Sequence, residues 1–182
     1  MGWGFSNIAI THPATAPHDG GVLVIDDSGD RKDGSATAHV GKQYLGSVGK
    51  IDRGVVTVTT CWADERLCYP VHAVPYTPAH HFPGGKNDPA CCTKLQIGAA
   101  LARAAKTVCV VFRAVVADCA YGDHNTFRAE LSDARLPFVM ALKRGHGTWV
   151  QGRLPARRCR PRTGLARPRT ERRLAAGDPQ LP

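Results

Sequence analysis

Two apolar, β-branched runs in this chain each stop at an aspartate. The first is VLVID, Val22 to Asp26, followed at once by Asp27. The second is CVVFRAVVA, Cys109 to Ala117, followed by Asp118. A short, near-continuous apolar run of this kind, the second interrupted only by Arg113, marks a strand buried on both faces. Adjacent like charges cannot be buried cheaply, so the aspartates belong at a strand end, in a surface turn or beside a cation. The fold must bury both runs and leave their carboxyl ends open.

The segments between them set the remaining elements. Thr37 to Leu45 predicts a second strand, weakened by Gly41. GVVTVTTC, Gly54 to Cys61, predicts the clearest strand, since Val and Thr dominate it. Three strands this close in sequence suggest an antiparallel meander. Residues 64–88 hold Pro70, Pro75, Pro78, Pro83 and Gly84-Gly85, and read as loop with one short strand near Val71. Asp88 as a cap and Pro89 at the first helical position predict a helix to about Thr107. Its apolar stripe would be Ile97, Leu101, Ala104 and Val108. A second helix, capped by Asp123 or Asn125, would bury Phe127, Leu131 and Ala134 and stop before Pro137. Leu136 to Leu142 reads as a fifth strand and Thr148 to Gln151 as a sixth. The expected class is α/β, a mixed sheet in the order β-β-β-α-β-α-β, with right-handed crossovers and helices packed on it.

Charge divides the chain unevenly. Residues 151–182 carry nine Arg and no Lys against Glu171 and Asp178, a net of +7; residues 1–150 carry only +2. Val and Ile also vanish after residue 150. The expected organisation is an irregular lead-in over 1–20, a folded domain over 21–150, and an Arg/Pro-rich tail over 151–182. That tail reads as a disordered basic arm or the product of a shifted reading frame. No apolar run approaches the ~18 residues needed to cross a membrane, and no secretory signal opens the chain. The seven cysteines then read as reduced thiols of a cytoplasmic protein. His72, His80, His81 and Cys68 show no metal-ligand spacing. Gly2 and Ser6 fit an isolated myristoylation pattern.

In the expected topology the strands that end at Asp27 and Asp118, 91 residues apart, are parallel neighbours. Ligands of such sheets gather at the carboxyl ends of the strands. Two carboxylates brought together there call for a hard cation, and Mg²⁺ suits them. Paired ions of this type activate a water or hydroxyl and stabilise a leaving oxygen in phosphoryl transfer.

Two blocks carry a resemblance. The first is VLVIDDSGDRKDGSATAHVGKQYLGSVGKIDRGVVTVTT. It holds Asp26, Asp27, Ser28, Gly29, Lys32 and Gly34, then Gln43, Tyr44, Gly46, Gly49 and Lys50. The second is FRAVVADCAYGDHNTFRAEL, with Asp118, Tyr121, Gly122 and Asp123. Together, over about residues 20–150, the chain resembles bacterial insertion-sequence transposases of the DDE superfamily. The resemblance implies an RNase H-like fold, incomplete at its C-terminal end. It also implies Mg²⁺ or Mn²⁺ and the cutting and rejoining of transposon-end DNA by a homodimer in a synaptic complex. Asp27, directly before Ser-Gly, would be the first metal-binding acid, with Asp26 as its rival, and Asp118 the second. The third, a Glu on a later helix, has no counterpart: Glu130 comes too early and Glu171 lacks the surrounding pattern. The expectation is therefore a fragment that is inactive alone.

Lys42, Lys50 and Arg53 are candidates for DNA phosphate contacts. One alternative is a non-catalytic nucleic-acid-binding protein that uses the basic tail. Another is a phosphatase of the haloacid dehalogenase type. That type needs Asp-x-Asp, where this chain has Asp27-Ser28-Gly29.

Overall fold

A computed structural model describes residues 12–34 and 37–145. Strand β1 is Val22–Arg31, β2 Gly41–Leu45, β3 Lys50–Ala63, β4 Cys68–Pro75, β5 Val115–Ala117 and β6 Phe138–Met140. Helix α1 is Lys94–Thr107, α2 Cys119–Gly122 and α3 Asn125–Asp133. Short 3-10 turns cover Ala79–His81 and Gly85–Asn87.

β1 is longer than its apolar run. It continues through both aspartates to Arg31, because β3 supplies an antiparallel partner for each of its ten residues. Asp26 lies opposite Thr59 and Asp27 opposite Val58. The aspartate pair therefore sits within a strand and not at its end. Alternation along β1 then gives the two carboxylates opposite faces of the sheet.

The sheet is not the simple meander that sequence order suggests. β2 pairs with the first part of β3, Lys50 to Gly54, and β4 with the later part, Thr57 to Ala63, along the same edge. Tight turn chemistry sends β2 back onto β3: Gly49 has φ +69°, and Gln43 Nε2 donates to the Gly54 carbonyl at 3.0 Å. Beyond β1 the sheet continues with β5, parallel to β1, and β6, parallel to β5. The described residues thus form a mixed six-stranded sheet with few helices, compatible with an RNase H-like fold. β4, eight residues long, replaces the short strand expected near Val71. The expected sixth strand at Thr148 to Gln151, the tail and Gly2 lie outside the described residues.

One face of the sheet is buried. Leu23, Ile25, Val58 and Trp62 pack with Leu101, Phe127 and Leu131, each at most 5 % exposed. Full burial of one such side chain stabilises the fold by about 1.5–3 kcal/mol. α1 meets this face with small residues, Gly98, Ala99, Ala102 and Ala105, while Val108 is 46 % exposed. The buried stripe is thus rotated from the expected one, because only small side chains let the helix backbone approach the strands. The helix also starts later than expected. Thr93 caps it in a capping box with Gln96, while Asp88 closes a preceding turn by accepting from Gly84 and Ala90 N–H.

The second apolar run yields only a three-residue strand. Cys109 adopts φ +61°, Val110 drops into the core and Val111 is 47 % exposed, so residues 108–114 are a connection. The expected second helix is α3, which starts at Asn125 after His124 and not after a cap at Asp123 or Asn125, and the short α2 before it is additional. Asp118 caps α2, and His124 precedes α3 without a side-chain cap.

Candidate metal-binding acidic centre

The carboxylates converge because β1 and β5 run parallel. Ile25 pairs with Ala117 in register, so the next residue along each chain segment is an aspartate, Asp26 within β1 and Asp118 just past the end of β5. Asp26 is exposed, and its Oδ1 accepts from the Asp27 N–H at 2.7 Å. Partial burial raises the Asp26 pKa above the usual carboxylate range. That backbone hydrogen bond opposes the rise, and the neighbouring Asp118 and Asp27 carboxylates add to it. Asp118 is exposed at the end of β5. One of its oxygens accepts from the Ala120 N–H at 2.9 Å and fixes the first turn of α2.

Asp27 projects to the α1 face. Its Oδ2 lies 2.5 Å from Lys94 Nζ, with both side chains about a quarter exposed. Lys94 is the first residue of α1, directly after the Thr93 cap. The ammonium stands 5.9 Å from the centre of the Tyr76 ring.

Tyr121 closes the floor of the centre. It is 2 % exposed and packs against Phe127 with ring centres 5.3 Å apart. Gly98 makes room for it: a Cβ there would lie 3.1 Å from Tyr121 Cε1 and 3.2 Å from Ile25 Cγ2. The hydroxyl has no hydrogen-bond partner among the described residues. Burial drives its pKa far upward, and the charges of Asp27, Asp26 and Asp118 push it further. The phenol is thus a neutral group within electrostatic reach of all three carboxylates. Beside it, Gly122 packs so closely on the chain leaving β6 that a Cβ would fall 2.2 Å from the Ala141 carbonyl oxygen. Asp123 binds the same segment, accepting from the Lys143 N–H at 3.0 Å.

The donor set is hard oxygen, which suits Mg²⁺ or Mn²⁺. Among the described residues no group of three or more His, Cys, Asp and Glu is arranged to hold a metal ion. The fit is therefore to an ion that takes one or two carboxylates and fills its remaining positions with water or substrate oxygens, as Mg²⁺ commonly does.

The other candidates from sequence lie elsewhere. Lys42 and Arg53 face each other across the β2–β3 ladder, on the same face as the exposed Tyr44 and Ile51. Lys50 sits on the opposite face, 3.5 Å from Asp52. Glu130 is held by Arg103 at 2.9 Å, across α3 and α1. Glu171 is outside the described residues. The sequence did not single out Lys94 as a site residue, and it offered Tyr121 only as part of the second block. Lys94 lies 67 residues from Asp27 and carries no local signal. Tyr121 was present in the second block, but only packing reveals its buried hydroxyl.

A family model described as DDE superfamily endonuclease matches residues 8–181. The chain belongs to this family. Within curated members, this DDE endonuclease family chain is similar to a probable transposase for insertion sequence element IS701 from Microchaete diplosiphon. The two are 32 % identical over 126 residues, covering 69 % of the chain and 32 % of the relative. The chain thus matches about a third of that relative's length. No solved structure matches it.

Proposed function

We propose that the chain supplies the first two metal-binding carboxylates, Asp27 and Asp118, of an insertion-sequence transposase that cuts and rejoins transposon-end DNA. The observation that carries the reading is the convergence of carboxylates from parallel β1 and β5 with a neutral, orphaned Tyr121 hydroxyl beneath them. Family membership and the similarity to an IS701 transposase support it. A bound divalent ion would supply charge neutralisation at the scissile phosphate and a nucleophilic oxygen. The protein groups would do the rest. Asp27 and Asp118 would hold the ion, Tyr121 would wall off the core, and the α2 cap would fix the Asp118 rotamer.

Lys42 and Arg53 form one basic face beside exposed Tyr44 and Ile51, a suitable surface for DNA phosphates. Lys50, paired with Asp52, is a weaker contributor. Action on DNA in the cytoplasm by a synaptic homodimer belongs to the same proposal. Among the described residues no helix is long and apolar enough to cross a membrane.

One observation favours a second assignment of the β1 ligand. The register sets Asp26, not Asp27, directly beside Asp118. A single experiment addresses both assignments: incubate the chain with transposon-end DNA and Mn²⁺ and measure binding and nicking. With two carboxylates the chain is expected to bind the DNA in a Mn²⁺-dependent manner without nicking it. Asp27→Asn and Asp118→Asn should each remove the Mn²⁺ dependence, and Asp26→Asn should leave it. Loss with Asp26→Asn alone would transfer the role to Asp26. Mn²⁺-independent binding in every form would overturn the reading.

A further inference from the structure

A cation of the chain itself stands at the acidic centre. Asp26, Asp27 and Asp118 place three formal negative charges around the end of β5, and Lys94 Nζ stands 2.5 Å from one of them. Three features make this more than a passing surface pair. Both side chains are about three-quarters covered. Lys94 is held at the first position of α1 by the Thr93–Gln96 capping box, so its backbone cannot drift from the strand. Its ammonium also stands over the Tyr76 ring, a second attraction for a cation.

We infer that Lys94 is a tethered counter-ion for Asp27, a positioning residue that a divalent ion must displace to use that carboxylate. The inference rests on the reading that Asp27 is a metal-binding acid. It follows from competition for one acceptor. A divalent ion ligated by the Asp27 carboxylate would be crowded and repelled by an ammonium held at 2.5 Å on Oδ2, so free energy held in the ion pair is subtracted from ion binding. The pair keeps the carboxylates compatible with the folded sheet before loading. It also weakens the site for adventitious ions until substrate phosphates supply the missing oxygens.

Mn²⁺ binding to the full chain, followed by the electron paramagnetic resonance of the free ion, tests this without any turnover. Lys94→Met, which keeps the aliphatic stem and removes the charge, should tighten Mn²⁺ on the order of fivefold. Lys94→Arg should stay near wild type. In an Asp27→Asn background Lys94→Met should have no effect, since the carboxylate charge they compete for is gone. Melting temperatures with EDTA verify that each variant folds, and Lys94→Met should recover more stability than wild type on adding Mn²⁺. An unchanged or weaker affinity for Lys94→Met would overturn the inference. So would the same tightening in the Asp27→Asn background, because the effect would then be a diffuse field and not competition. The parent reading fails separately, if Asp27→Asn and Asp118→Asn bind Mn²⁺ as tightly as wild type.

Discussion

The sheet carries carboxylates at two places, and they are treated in opposite ways. Asp64, at the turn after β3, is fully served. It accepts from the Arg66 and Leu67 N–H groups at 2.7 and 2.6 Å and lies 3.0 Å from His18 Nε2. Those bonds hold its pKa down, at about 2. The same end is braced by Trp62, which is fully buried, donates to the Val111 carbonyl at 2.9 Å and stacks on Tyr69. At the other place, Asp26, Asp27 and Asp118 crowd one another: Asp26 and Asp118 each accept one backbone N–H, Asp27 is paired with Lys94, and the Asp26 pKa is raised. A carboxylate with donors on every side is structural. Carboxylates gathered with too little compensation cost stability, and a fold keeps them where a ligand supplies the balance.

The contrast can be broken first at its structural end. Trp62→Ala should destabilise the chain by about 3–5 kcal/mol, read from urea unfolding. The loss should be independent of divalent ions. Gly21, whose Cβ would fall 2.2 Å from Trp62 Cζ2, shows how closely that ring is packed.

A smaller pair of effects has opposite signs with pH. Asp64 has a folded pKa of about 2 against 3.8 unfolded, so its contribution is present above pH 3.8 and fades as pH falls toward 2. Asp64→Asn should lower the melting temperature at pH 6, and the gap to wild type should close on acidification through that window. Asp26 has a raised folded pKa, so its contribution is present below pH 3.8 and lost as pH rises through the folded value. With EDTA present, Asp26→Asn should raise the melting temperature slightly at pH 7 and leave it unchanged below pH 3.8. Melting curves of both variants from pH 2.5 to 7 check the signs. The same sign for both would erase the distinction between the two places.

The parallel pairing of β1 and β5 was legible in the sequence, because both runs are short, apolar and separated by a helical segment. The end of α1 at Thr107 was legible for the same reason. Its start was not. Asp88-Pro89 and Thr93-x-x-Gln96 are both valid start signals, and tertiary packing chose the second. The apolar run at Cys109 misled because apolarity reports burial and not extension; the backbone turns at Cys109 and only Val110 goes inward. The continuation of β1 through Asp26 and Asp27 depends on β3, some thirty residues away, so no local pattern carries it. Of the residues proposed for the centre, Asp27 and Asp118 were singled out from the strands that precede them. Lys94 was not, since an ion pair across 67 residues leaves no spacing to read.

The central claim is that Asp118 and β1 together make a divalent-ion site. Calorimetric titration of Mn²⁺ into the full chain and into Asp118→Asn tests it most directly. The account predicts one class of Mn²⁺ site in wild type and at least a tenfold loss of affinity, on the order expected for a lost carboxylate ligand, in Asp118→Asn. Equal affinity for both, or no binding by wild type, would contradict it.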